Sequence, residues 1–201
     1  QRRRVRAHRI GERVGDGVVV HVGAPTVRDE ERLHVAREHV DQVEPALRLA
    51  HDDAVRVIVL TGSGAKAFVA GADISEMNAL TPVQGRDFSL RGQRMMRAVE
   101  KLPKPVIAMV NGFALGGGLE LAMSCHLRIA ADTAKVGQPE INLGLIPGFG
   151  GTQRLLRLTG RAAALELCLA GAPIDAARAL QLGIVNRVVP AAELEAQTMA
   201  L

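Results

Sequence analysis

Residues 111–151 read NGFALGGGLELAMSCHLRIAADTAKVGQPEINLGLIPGFGG, and the two glutamates of this stretch, Glu120 and Glu140, each sit among glycines. Gly116-Gly117-Gly118 runs directly into Leu119-Glu120-Leu121-Ala122-Met123, a string of good helix formers. A surface helix needs no glycine triplet before it. Glycine costs conformational entropy and belongs where backbone takes a positive φ or comes close to another group. The triplet therefore reads as a turn feeding a helix N-terminus, whose first N–H groups lack an internal partner and carry partial positive charge. Such donors suit an anion or a developing oxyanion, with Glu120 beside them in the first turn. Glu140 follows the apolar run Leu127–Ala131 and precedes the glycine-rich loop Gly144–Gly151. Taken singly, Glu120 reads as an acid favoured by its own helix dipole and Glu140 as a solvated loop acid. With the glycines and a second glycine turn upstream, the two read as carboxylates facing one reacting centre under oxyanion-stabilising N–H groups.

That upstream turn lies in FVAGADISEM, Phe68–Met77. Three segments, FVAGADISEM, KPVIAMVNGFALGGGLELAMSCHLRIA and VGQPEINLGLIPGFGGTQRL, resemble signatures of the enoyl-CoA hydratase/isomerase (crotonase) family, in that family's order and spacing. The likeness runs from about Val55 to Val189. It implies an α/β fold, a crotonase-like spiral of repeated ββα units, and hydration of a 2-trans-enoyl-CoA to a 3-hydroxyacyl-CoA in fatty-acid or related acyl-CoA breakdown. By the same resemblance Glu120 and Glu140 are the catalytic pair. The N–H groups of Ala72 and Gly117 form the oxyanion hole, and that of Gly148 orients the water. Ala70, Gly71, Asp73, Ile74, Gly116 and Pro139 border the substrate. The resemblance further implies an acyl-CoA partner, no metal, no cofactor beyond the coenzyme A carried by the substrate, and a homotrimer or dimer of trimers. Two acids favour hydration, because the isomerase branch usually keeps one and the dehalogenase branch uses an aspartate. Double-bond isomerisation through Glu140 is the alternative reaction. From its position alone, Asp73 reads as a helix-start acid.

Composition bounds the remaining classes. The chain of 201 residues is 48% hydrophobic with no Trp or Tyr and four Phe, so its core is expected to be aliphatic. The apolar runs Val57–Leu60 and Val106–Val110 are too short to span a bilayer. The Arg-rich start lacks a following apolar stretch of the kind a secretory signal carries, so a cytoplasmic setting is expected. Cys125 and Cys168 form neither a disulfide framework nor a metal pattern, and Cys125 reads as a small buried hydrophobe. Five of the six histidines (His8, His21, His34, His39 and His51) precede residue 52, without metal-ligand spacing. The net charge is +4, and Arg2, Arg3, Arg4, Arg6, Arg9 and Arg13 crowd the start. That excess suits the phosphates of coenzyme A or an RNA, and it also suits a solvated tail. With 2% aromatic residues there is little to stack on bases, which leaves non-catalytic RNA or acyl-CoA binding as the reading of another class.

The chain divides into three stretches. Residues 1–50 are an Arg- and His-rich segment with a strand Val18–Val22 and a helix Asp29–Leu49. The family's Asn-Arg-Pro motif is absent there, and Val22-Gly-Ala-Pro25 stands near its place, so this border of the coenzyme A groove departs from the pattern. Residues 51–190 form the core. Strands are expected over Arg56–Thr61, Lys66–Ala70, Val106–Val110 and Ile184–Val189. Helices are expected over residues 78–101, Thr152–Leu158 with Thr152 near its cap, Arg161–Ala170 and Asp175–Leu182 capped by Asp175. Phe88 and Leu90 are candidates for the acyl end of the pocket. Residues 191–201 begin a C-terminal helical region that the resemblance extends beyond Leu201, so that region is expected to be truncated here.

Overall fold

The computed structural model describes residues 12–14, 17–22, 43, 47–71 and 77–201. Their strands are β1 (Glu12–Val14), β2 (Gly17–Val22), β3 (Val57–Gly62), β4 (Ala67–Val69), β5 (Val106–Val110), β6 (Phe113–Leu115), β7 (Leu127–Ala131), β8 (Lys135–Gly137), β9 (Ile174–Asp175) and β10 (Arg187–Val189). Their helices are α1 (Pro82–Glu100), α2 (Gly117–Ser124), α3 (Gly151–Ala170), α4 (Ala176–Gln181) and α5 (Leu194–Met199).

The apolar runs become strands buried on both faces. All five residues of β5 are buried, which is why its sequence shows no polar alternation. β2, β3, β5, β7 and β10 pair in parallel in that order, and β1 adds an antiparallel edge. A second sheet holds β4, β6 and β8 in parallel, with β9 antiparallel at its end. The strand pairs β3/β4, β5/β6 and β7/β8 each give one strand to each sheet before the chain reaches α1, α2 and α3 respectively. This is the expected ββα spiral, since parallel neighbours need a crossover between them. The core is aliphatic as expected, with Ile58, Leu60, Ile129, Leu155 and Ile184 fully buried around the lone deep aromatic Phe68. Cys125 is buried among them, and burial pushes its thiol up to about 12, so it behaves as a small hydrophobe.

Polar ties join successive turns. The Asn111 amide accepts from Gly62 N at 3.0 Å and donates to the carbonyls of Gly62 at 3.3 Å and Gly64 at 2.7 Å, so the turn after β5 closes the end of β3. Buried Arg128 donates to the carbonyls of Ile184 (2.6 Å) and Cys125 (2.7 Å), fastening β7 to the segment before β10.

Several expectations shift. The strand expected over Ile184–Val189 begins its ladder only at Arg187, because Ile184 N bonds Ala179 O at the end of α4 and Asn186 exchanges bonds with Arg128. The helix expected over residues 78–101 starts at Pro82, where Thr81 and Gln84 form a capping box. The expected break between Leu158 and Arg161 is a kink at Gly160 (φ 79°) inside α3. Thr152 lies near the helix start as expected, and the cap itself is Gly150, with no side-chain bond. Asp175 caps α4 as expected, accepting from Arg178 N at 2.8 Å. The helix expected over Asp29–Leu49 and the Arg-rich start lie mostly outside the described residues. Among the described residues, no helix is long and apolar enough to cross a membrane.

Asn111→Ala should lower stability by roughly 1–3 kcal/mol, since the N–H and carbonyl of Gly62 lose their half-buried partner, as does the exposed carbonyl of Gly64. Chemical denaturation measures this, and an unchanged midpoint would refute the role given to the Asn111 clasp.

Candidate active site

The glycine triplet does what its sequence suggests. Gly116 caps α2 at φ 54°, ψ −123°, a conformation that a side chain rarely adopts, and its N–H bonds Gly137 O at 2.9 Å. A Cβ on Gly118 would lie 1.9 Å from the Val69 carbonyl oxygen, so the backbone of α2 rests directly on the end of β4. Gly117 opens the helix, and its N–H is one of the first-turn donors without a partner inside it.

Glu120 lies in the first turn of α2 and is 1% exposed. Its carboxylate does not serve its own helix. Oε1 accepts from Phe149 N at 2.8 Å and Gly151 N at 2.7 Å, at the N-terminus of α3. Burial pushes the Glu120 carboxyl above its usual range; the two N–H bonds and the Arg154 guanidinium pull against that rise. Arg154 also donates to Phe149 O at 2.8 Å and pairs with Glu100 of α1 at 2.7 Å.

Glu140 is not a solvated loop acid. It sits half-buried in a single 3₁₀ turn, Pro139–Leu143, over the backbone of Gly116: a Cβ there would meet Glu140 Oε1 at 3.1 Å. Gln138 is fully buried, and its amide nitrogen lies 2.8 Å from Oε1 and 3.0 Å from Oε2 in the orientation that satisfies both groups. Burial, and then the charge of Glu120, push the Glu140 carboxyl up to about 7. The sequence reading missed Gln138. Its only signal is a polar residue wedged between an apolar strand and a proline, and the same pattern occurs in ordinary turns.

A cavity of about 510 Å³ brings these groups together. Glu120, Glu140, Gly116, Gly117 and Gly148 line it, as do Ala70, Gly71 and Pro139. Ala72, Asp73 and Ile74 lie outside the described residues, so the second expected oxyanion donor does too. Phe88 lines the cavity with Met77 and Leu80, whereas Leu90 is 38% exposed on α1 and takes no part in it. Ser89 and Phe149, which the sequence reading also missed, line it as well. Apolar walls with a few convergent polar groups are the surroundings a small acyl group needs. Among the described residues, no three His, Cys, Asp or Glu side chains gather as a metal site would require.

Glu140 binds its proton more tightly folded than unfolded, with its carboxyl at about 7 against an ordinary 4.5. Its contribution to stability is therefore full below about pH 4.5 and is lost as pH rises through about 7. Glu140→Gln should accordingly stabilise the chain more at pH 8 than at pH 5. Thermal melts at both values check this, and an equal gain at the two would contradict it.

Comparison with known proteins agrees with this geometry. The enoyl-CoA hydratase/isomerase family profile matches residues 34–201. The short-chain-enoyl-CoA hydratase of Clostridium acetobutylicum is 53% identical over 146 residues, covering 73% of this chain and 56% of that protein. The crotonyl-CoA hydratase of Syntrophomonas wolfei is 52% identical over 154 residues, covering 76% and 59%. The chain thus spans somewhat over half the length of these two relatives. The crystal structure of enoyl-CoA hydratase from Bacillus anthracis superposes with a TM-score of 0.76 at 43% identity, over 80% of this chain and 63% of that one. With its two-sheet spiral, its glycine-capped central helix and its paired glutamates, the chain belongs to the enoyl-CoA hydratase/isomerase family.

Proposed function

We propose that the protein hydrates 2-trans-enoyl-CoA to 3-hydroxyacyl-CoA. The observation that carries this is the carboxylate pair on one cavity, Glu120 under the N–H groups of α3 and Glu140 pushed towards neutrality beside it. Surroundings that separate two carboxyls in this way assign them different proton roles. On Glu120 two backbone donors oppose the effect of burial and favour the anion, and both bonds land on Oε1, leaving Oε2 for water. The proton of the pair resides on Glu140.

Water is a weak nucleophile, so Glu120 takes its proton as the oxygen bonds to C3 of the enoyl group. The double-bond electrons move to C2, which takes the proton of Glu140. The thioester oxygen carries negative charge meanwhile and is met by the N–H groups of Gly117 and Ala72. The N–H of Gly148 orients the water, and Gly71, Gly116 and Pro139 border the thioester together with Ala70, Asp73 and Ile74. Each turnover moves one proton between the glutamates and needs no metal or redox group; coenzyme A enters as part of the substrate. We further infer a cytoplasmic role in acyl-CoA breakdown and assembly as a homotrimer or pair of trimers. Exposed Leu165 and Leu169 on α3 and Ile146 beside the cavity are among the exposed apolar residues available for such contacts.

Adding the chain to crotonyl-CoA should remove the enoyl-thioester absorbance. Glu120→Gln and Glu140→Gln should each cut turnover by about 10²–10⁴-fold with KM little changed. Near wild-type turnover in either variant would rule out the pair, and conversion of a 3-enoyl-CoA without uptake of water would point to isomerisation instead.

Hydration and dehydration both start from the singly protonated pair. Glu140 is protonated below its raised value, so kcat/KM in both directions should fall along a shared alkaline limb as pH rises through about 7. Rate–pH profiles in the two directions test this; a profile that stays flat up to about pH 9, well above the ordinary carboxylate range, would exclude Glu140 as the acid.

A further inference from the structure

The peptide unit joining Gly148 to Phe149 is hydrogen-bonded at both ends. Its N–H donates to Glu120 Oε1 at 2.8 Å. Its carbonyl oxygen, on Gly148, accepts from Ser89 Oγ at 2.6 Å and from Gln93 Nε2 at 3.0 Å. Gln93 Nε2 also donates to Ser89 Oγ at 3.1 Å, so the two α1 side chains form one small network one helical turn apart. The α1 pair is far from the peptide it grips in sequence: Ser89 and Gly148 are 59 residues apart.

The arrangement has two physical consequences. A peptide whose carbonyl accepts hydrogen bonds becomes a better N–H donor, because the bonds polarise one another along the chain. A peptide plane gripped by its carbonyl also cannot rotate; if it did, an oxygen would replace the N–H facing the Glu120 anion. Packing fixes the plane further. The Phe149 ring meets the Phe88 ring at 5.4 Å between centroids, and a Cβ on Gly92 of α1 would run into it at 2.2 Å. Arg154 holds the next carbonyl, Phe149 O, at 2.8 Å.

We propose that Ser89, backed by Gln93, is a positioning residue that keeps the Phe149 N–H on Glu120 and so keeps the base in its ionised, water-activating state. The proposal rests on the hydratase reading for its effect on rate, though not for its effect on Glu120 itself. Among the described residues, the charged and titratable groups facing Glu120 are Arg154 and Cys168 of α3 and Glu140 of the 3₁₀ turn, while α1 brings Glu100, held by Arg154. Substitution at residue 89 alters none of these. Ser89 is half-buried and its bond is the shorter, whereas Gln93 is exposed and competes with water, so Ser89 carries the larger share.

The test compares Ser89→Ala, Gln93→Ala and Ser89→Thr in the full chain by two readouts. One is a 13C NMR titration of the Glu120 carboxyl, which needs no turnover. The other is the acid limb of kcat/KM for crotonyl-CoA. Losing the Ser89 donor should raise both by roughly half a unit to one unit and cut kcat/KM on the acid limb itself roughly three- to tenfold, with KM unchanged. Gln93→Ala should move them less, and Ser89→Thr, which keeps a hydroxyl, should stay near wild type. A Ser89→Ala chain with lower kcat but an unmoved Glu120 titration would overturn the proposal and leave Ser89 a merely structural contact. A wild-type chain that does not hydrate, yet shows the titration shift, would sink the hydratase reading and leave this one standing.

Discussion

A carboxylate set on the N-terminus of a helix other than its own is the contact on which this site depends. Burying an ionised glutamate costs several kcal/mol unless charged or strongly polar partners replace water. The first N–H groups of α3 need acceptors, and no side chain of α3 supplies one. Glu120, on α2, meets both needs with two charge-assisted bonds near 2.7–2.8 Å. The helix dipole of α3 adds to the same end. One interaction therefore satisfies a helix terminus, fixes the loop before it and orients the Glu120 carboxyl in the cavity.

The spiral is what lets the two helices meet. Each coil contributes a strand to both sheets, so the turns after β4, β6 and β8 stack at one end of the molecule. Close approach of α2 to β4 is open only to Gly118, because any side chain there would collide with the Val69 carbonyl. Arg154 then bridges the Phe149 carbonyl and Glu100, joining the loop before α3 to α1. The Glu100 side chain is 40% exposed, so that pair is worth at most about 1 kcal/mol; its importance lies in direction, not strength.

The sequence was informative where the governing forces act over a few residues. The buried runs of β3 and β5, the Asp175 cap and the glycine turn before α2 were all legible, since each depends on neighbours within a turn or a strand. Strands β6 and β8 were not, because three residues carry no period. The start expected for the strand at Ile184 moved for a tertiary reason: Arg128 and Ala179 had claimed the backbone of its first residues.

The pairing of Glu120 with Glu140 was visible in sequence as two acids among glycines, and family resemblance gave each a role. What surrounds them was not visible. Gln138 against Glu140, Phe149 and Gly151 against Glu120, and Ser89 against Gly148 are contacts made by folding, most of them between residues tens of positions apart. A sequence states which groups can ionise and where the backbone can turn sharply. Only the tertiary structure decides which dipoles face those groups and how much water is removed from them, because desolvation and hydrogen-bond direction belong to the whole packed set of elements.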